Sequence, residues 1–331
     1  MPLLITIACY VTIYIGIFIY IFGFFGSLLN IRILFSNRHN PCTFLLIYAS
    51  IVDCIVLNIG LLPRIFAVGF STDLTLSNLL WCKIRTYLLR ISTLISLYSI
   101  CLMSIDRYFI SCRTVRWRQL SNIHFVRWIT FLVSFLIATE GLPFLILTKI
   151  LQTNNNTSCT PMYNSIFSKY ASFFCIPILY GILPLYIMII MSILIYHKLH
   201  NRTHLRRAQR SLTLIILLRI LLALIFCGPY TSYFVYSAIS ILPASTKSAE
   251  RIAIENFILS ILSVFLYITY SSSFFVHFFI SATYRKQLID LFKYYRGRHR
   301  VVIQPMQMVL VNFIQNHAQT VINNKQNNET I

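Results

Sequence analysis

Charged side chains are scarce in this chain: Asp, Glu, Lys and Arg together make up 11% of its 331 residues, against 57% hydrophobic. An ordinary soluble domain carries roughly a quarter charged residues, so too little polar surface exists here to cover a water-soluble fold. Zinc-type cysteine pairs are missing as well. None of the nine cysteines forms a C-x-x-C pair and no His spacing suits zinc, so no metal site of that kind is expected. Most of the thiols lie inside apolar runs and are expected to be small buried residues. Clusters of His, Asp or Cys at helical spacing, which an intramembrane enzyme would need, are absent too, and no enzymatic activity is expected. The first thirty residues lack the positive n-region and cleavage site of a secretory signal, and their apolar run is too long for one. They read as a membrane span.

What the chain has in abundance is long apolar runs separated by short polar breaks. A helix crossing about 30 Å of hydrocarbon needs roughly 20 mostly apolar residues. Seven segments qualify: 7–34, 43–69, 80–110, 123–147, 170–196, 211–238 and 254–280. Residues 1–282 are therefore expected to form one seven-span domain. A net charge of +20 in a soluble chain would suggest nucleic acid, but here the Lys and Arg sit in the breaks, so membrane orientation explains them and no nucleic-acid partner is expected. Most fall on one side: Arg38 and the groups within 107–127, 198–210 and 285–325. Opposite them stand Lys83, Arg85, Lys149, Lys169, Lys247 and Arg251. Cytoplasmic flanks carry the basic excess, which predicts an extracellular N-terminus and a cytoplasmic C-terminus in a multi-pass plasma-membrane protein.

Past the seventh span, residues 283–296 place Tyr284, Leu288, Leu291 and Tyr295 at helical spacing among basic residues, as in an amphipathic helix lying on the inner leaflet. Residues 297–331, rich in Asn and Gln, are expected to be a disordered cytoplasmic tail. The fold class predicted is an all-α membrane protein, a seven-transmembrane helix bundle with a C-terminal amphipathic helix. No pair of halves shows the matched Gly and Pro breaks of a transporter.

The third span ends on the basic side with Asp106-Arg107-Tyr108, and Cys82 lies about seven helical turns earlier, at the opposite end of the same span. Cys159 falls in the loop between spans four and five. With this topology the motif resembles that of rhodopsin-like (family A) G-protein-coupled receptors. The resemblance implies a disulfide between Cys82 and Cys159, in a compartment oxidising enough to keep it. It also implies an activation switch built from Asp106, Arg107, Tyr108 and the helix-six proline Pro229. In such a switch Asp106 restrains Arg107 until helix six swings outward and Arg107 engages a heterotrimeric G protein. Asp53, a lone carboxylate inside span two, would hold a sodium ion with Ser96 and Ser273; the alternative is a simple bond to a neighbouring hydroxyl. No other cofactor is implied. In the loop sequence NNNTSCT, both Asn155 and Asn156 begin an N-x-S/T glycosylation acceptor.

Several family positions are changed. Ser27 stands where the family has Asn in helix one, with Asn30 one turn later as a substitute. Cys227 replaces the helix-six tryptophan in Phe226-Cys227-Gly228-Pro229-Tyr230. Ser273 to His277 replace Asn-Pro-x-x-Tyr, Val133 takes the usual helix-four tryptophan place with Trp128 five residues before it, and Gln209 replaces the acid that locks Arg107.

The same alignment limits the ligand. Leu89 sits where amine receptors carry Asp, and Tyr267 where retinal proteins carry their lysine, so neither a biogenic amine nor a photopigment is expected. Arg64, Tyr87 and Arg90, with Glu255 at the mouth of helix seven, are the ligand-binding candidates, Arg85 being assigned to another face. They predict an extracellular ligand that is anionic or carboxylate-bearing, such as a peptide; alternatively Arg64 and Arg90 snorkel to headgroups. The competing function is a membrane transporter or channel, with Asp53, Glu140 and Arg219 as a charged pathway.

Overall fold

The computed structural model describes residues 2–69, 78–112, 115–119, 121–153, 156–161, 170–200, 207–240 and 248–295. Seven of its helices are long and apolar enough to cross a membrane: α1 Thr6–Asn37, α2 Pro41–Gly69, α3 Leu79–Ser111, α4 Ile123–Leu147, α5 Phe173–His197, α6 Ser211–Ser237 and α7 Glu250–Ser271. Polar side chains start them. Asn40, Asn78 and Asn122 each accept from the amide two residues on, and Ser248 accepts from Arg251, so four helix starts are closed by their own sequence. Pro41 follows Asn40 in the first turn, where a missing N–H costs nothing.

The expected seventh span, 254–280, is in fact two helices. α7 stops at Ser271 and the chain resumes as α8, Ser273–Ile280, before α9, Ala282–Tyr295. In α9, Tyr284, Leu288 and Leu291 are buried in the main apolar cluster. Inner prolines locally disturb other helices: widened i→i+5 turns lie on either side of Pro63 in α2, and Pro177 sits inside a longer run of them over Ala171–Ile182. The loop after α4, unassigned from the sequence pattern, carries an antiparallel hairpin of β1 Thr148–Thr153 and β2 Asn156–Pro161, in which Ile150 pairs with Cys159. Residues 296–331, which include the expected tail, and Asn155 lie outside the described residues.

Burial runs in the reverse sense to that of a soluble protein. Phe131, Tyr14 and Trp128 are 73%, 70% and 67% exposed, whereas Asn30, Ser50, Asp53, Ser96, Arg107, Arg219 and His277 are buried. An apolar shell of this extent is stable only against lipid, and polar groups in such a fold collect where helices face one another. The polar interior lies where two apolar clusters meet, one around Leu45, Ile100, Met103 and Ile216, the other around Val56, Leu61, Val264 and Tyr267. Close approach of α1 to its neighbours rests on glycine: a Cβ at Gly23 would lie 2.5 Å from Cβ of Ser271, and one at Gly26 would lie 2.6 Å from Cβ of Phe274.

Candidate functional site

At one end of α3, Arg107 Nη2 sits 3.0 Å from Asp106 Oδ2, with both side chains buried. The second carboxylate oxygen of Asp106 accepts from the hydroxyl of Ser121, just before α4. The arginine is thus clamped by its own neighbour, and the neighbour is oriented from the segment that leads into α4. Arg107 Nε is buried without a partner among the described residues, so the clamp uses only part of the guanidinium. Tyr108 is half-buried and rests its ring on Phe109. The side chain of Gln209 is outside the described residues.

At the other end of α3, Cys82 and Cys159 form the expected disulfide, with Cα atoms 6.0 Å apart, which ties β2 to the start of the helix. Asn156 lies on that same strand, opposite Thr153. A cavity of about 320 Å³ opens near this end, walled by α3, α5, α6 and α7 with Phe144 of α4, and rich in aromatic rings: Tyr180, Tyr230, Phe234, Tyr267 and Tyr270 line it. Cys227 also lines it, with its sulfur 3.9 Å from Thr269 Oγ1, in the place of the missing tryptophan. Two residues further, Pro229 lies inside α6 beside Gly228, where an added Cβ would meet nothing within 4 Å.

The structure rearranges the ligand candidates. Arg90 does line the cavity, but its charge is answered by Glu140 at 3.0 Å, and its guanidinium lies 3.6 Å over the ring of Phe144 and 5.1 Å from that of Tyr180. Arg85 lines the cavity as well, contrary to the face assigned from spacing, and its Nε donates to the carbonyl of Ile59. Tyr87 turns away, donating to the carbonyl of Ala138 on α4. Arg64 is partly buried near Tyr267 and Tyr230 but does not line the cavity, and its Nε has no partner among the described residues. Glu255 belongs to a separate recess at the rim, where it pairs with Arg251 at 3.1 Å. A five-residue spacing fixes the angle between two side chains only on an ideal helix, and long Arg side chains reach across it.

Midway along the bundle, Asp53 accepts from Ser96 through Oδ1, as expected, and from Arg219 of α6 at 2.9 Å through Oδ2. Side chains of both ions are at most 1% exposed. Ser273, expected beside Asp53, is engaged elsewhere. Its hydroxyl accepts from Asn30 Nδ2 at 3.1 Å, and its carbonyl lies 2.6 Å from His277 Nδ1. Asn30 in turn accepts from the Tyr284 hydroxyl of α9 at 2.6 Å. With Arg219 in place the residues present therefore do not fit a sodium ion: a fixed cation already sits on one carboxylate oxygen of Asp53, and Ser273, the third expected oxygen, serves another network. Grouping Arg219 with Glu140 as a charged path does not anticipate that arrangement. The signal was nevertheless present, since Asp53 is the one acid in its apolar run and Arg219 the one charge in its own, and such charges pair when buried in a bilayer.

Seven membrane-crossing helices, a disulfide from α3 to the hairpin after α4, an aromatic-rich cavity at that end and a clamped Asp-Arg pair at the other define a membrane receptor class. The family model of the seven-transmembrane receptors (rhodopsin family) matches residues 26–281. The chain belongs to that family and is a multi-pass membrane protein.

Proposed function

We propose that this receptor sits in the plasma membrane with its N-terminus outside and C-terminus inside, binds an extracellular ligand in the aromatic cavity and activates a heterotrimeric G protein through Arg107. The observation that carries this reading is the partly satisfied Arg107: one carboxylate, next to it in sequence, is its recorded ion-pair partner. A two-state element of this kind needs only a competing acceptor to change hands. Asp106, Tyr108 and Pro229 complete the switch, the last as the hinge of α6.

The ligand proposed has an aromatic or apolar body matching the cavity wall and a carboxylate or other anionic group; a peptide fits that description. With Arg90 neutralised by Glu140, the basic side of the cavity rests on Arg85, while Arg64 lies behind Tyr267 outside the lining. Glycan on Asn155 or Asn156 is consistent with an extracellular loop. A transporter pathway finds less support: Asp53 pairs with Arg219 and Glu140 with Arg90, two closed couples rather than a chain of titratable groups.

The test is a ligand panel read by nucleotide exchange on several Gα subunits, with Arg107→Ala as the control. The expected result is ligand-driven exchange in the parent and its loss in the variant, at equal surface expression. Exchange in the variant equal to that of the parent rules out the role given to Arg107.

A further inference from the structure

The family resemblance suggests a mobile cation for Asp53, yet the carboxylate already has a covalently tethered one. Arg219 Nη2 bonds Asp53 Oδ2 at 2.9 Å, Ser96 holds Oδ1, and neither ion reaches solvent. The remaining guanidinium donors of Arg219, Nε and Nη1, are buried with no partner among the described residues, so Asp53 is the one recorded acceptor that the arginine has. A second cation brought to Asp53 would meet the positive charge of Arg219 at close range, in an interior where repulsion is weakly screened.

We infer that Arg219 is a built-in counter-ion that takes the place of a bound sodium ion, so that this receptor is indifferent to sodium where a vacant Asp53 pocket would respond to it. A diffusible ion leaves the bundle independently of any helix, whereas a guanidinium on α6 leaves only when α6 moves relative to α2. Arg219 lies about three turns from Pro229, on the segment of α6 between the hinge and the Arg107 end. The pair therefore couples neutralisation of Asp53 to the position of that segment.

The experiment uses the purified full-length chain in lipid nanodiscs and measures thermal unfolding in sodium chloride against choline chloride at equal ionic strength. It involves neither ligand nor G protein, so it stands or falls apart from the functional reading. The parent is expected to melt at the same temperature in both salts. Arg219→Met, which removes the tethered charge at similar length, is expected to melt lower in choline and to recover with sodium in a saturable way. The double variant Asp53→Asn with Arg219→Met is expected to lose that recovery, and Arg219→Lys is expected to stay indifferent to sodium. Sodium-dependent stabilisation of the parent that disappears in Asp53→Asn overturns the inference, as does an Arg219→Met protein that folds without acquiring a sodium response. If Arg219→Met does not fold, the parent and Arg219→Lys decide the matter: indifference in both supports the inference, and a sodium response in either defeats it.

Discussion

Replacing Tyr284 by Phe deletes one hydroxyl group and leaves the ring in place. That hydroxyl donates to Asn30 Oδ1 at 2.6 Å, joining α9 to α1, and both residues are buried, at 2% and 0% exposure. No water can reach the carbonyl it leaves behind, so the variant carries an unsatisfied buried acceptor, which costs about 1–3 kcal/mol. Asn30 still donates to Ser273 at 3.1 Å, so it cannot rotate to recover the loss without breaking that bond. Asn30→Leu removes acceptor and donor together. Once it is present, Tyr284→Phe has no partner to abandon, and the two changes should be non-additive, with a coupling of about 1 kcal/mol or more. The assay is equilibrium unfolding of the full chain in mixed micelles by dodecyl sulfate titration, followed through Trp81, Trp117 and Trp128, all on the exposed surface. A Tyr284→Phe protein within about 0.5 kcal/mol of the parent, the range of an ordinary surface change, refutes the argument. So does strict additivity in the cycle.

Cys82→Ser opens a cross-link that spans 77 residues of sequence, and the loop-entropy argument puts the loss at up to about 4.5 kcal/mol. Reducing and non-reducing mobility of the parent, with melting of the variant, checks it; a variant as stable as the parent would show that the hairpin is held otherwise. Gly23→Val forces α1 away from Ser271 and is expected to cost about 1–3 kcal/mol in the same dodecyl sulfate titration, as overpacking does. Gly228→Ala, where nothing lies within 4 Å of the added methyl, serves as the matched control and should be neutral or slightly stabilising. Equal losses in the two variants would contradict the packing account.

Much of the site's frame was legible before any coordinates. Asp106-Arg107-Tyr108 is contiguous, Cys82 is separated from it only by the length of one helix, and the family resemblance implies its partner, Cys159, in the loop between spans four and five. Asp53 with Ser96 was legible through the family alignment. The ligand residues were not: Arg85 and Tyr87 exchanged roles because α3 presents them to different neighbours, α2 and the cavity for one, α4 for the other. Glu140 was visible as a buried acid on α4, but nothing in the sequence aims it at Arg90.

By itself the sequence determined that this chain crosses a bilayer seven times, the approximate place of each crossing, and to which family it is similar, because hydropathy is summed along one segment and the motif lies within one helix. Only the tertiary structure decided which buried groups neutralise one another. Asp53 meets Arg219 across 166 residues and Asn30 meets Tyr284 across 254, and such pairs depend on the rotation and depth of separate helices. Those two quantities follow from how side chains pack between helices, which no count along a single segment contains.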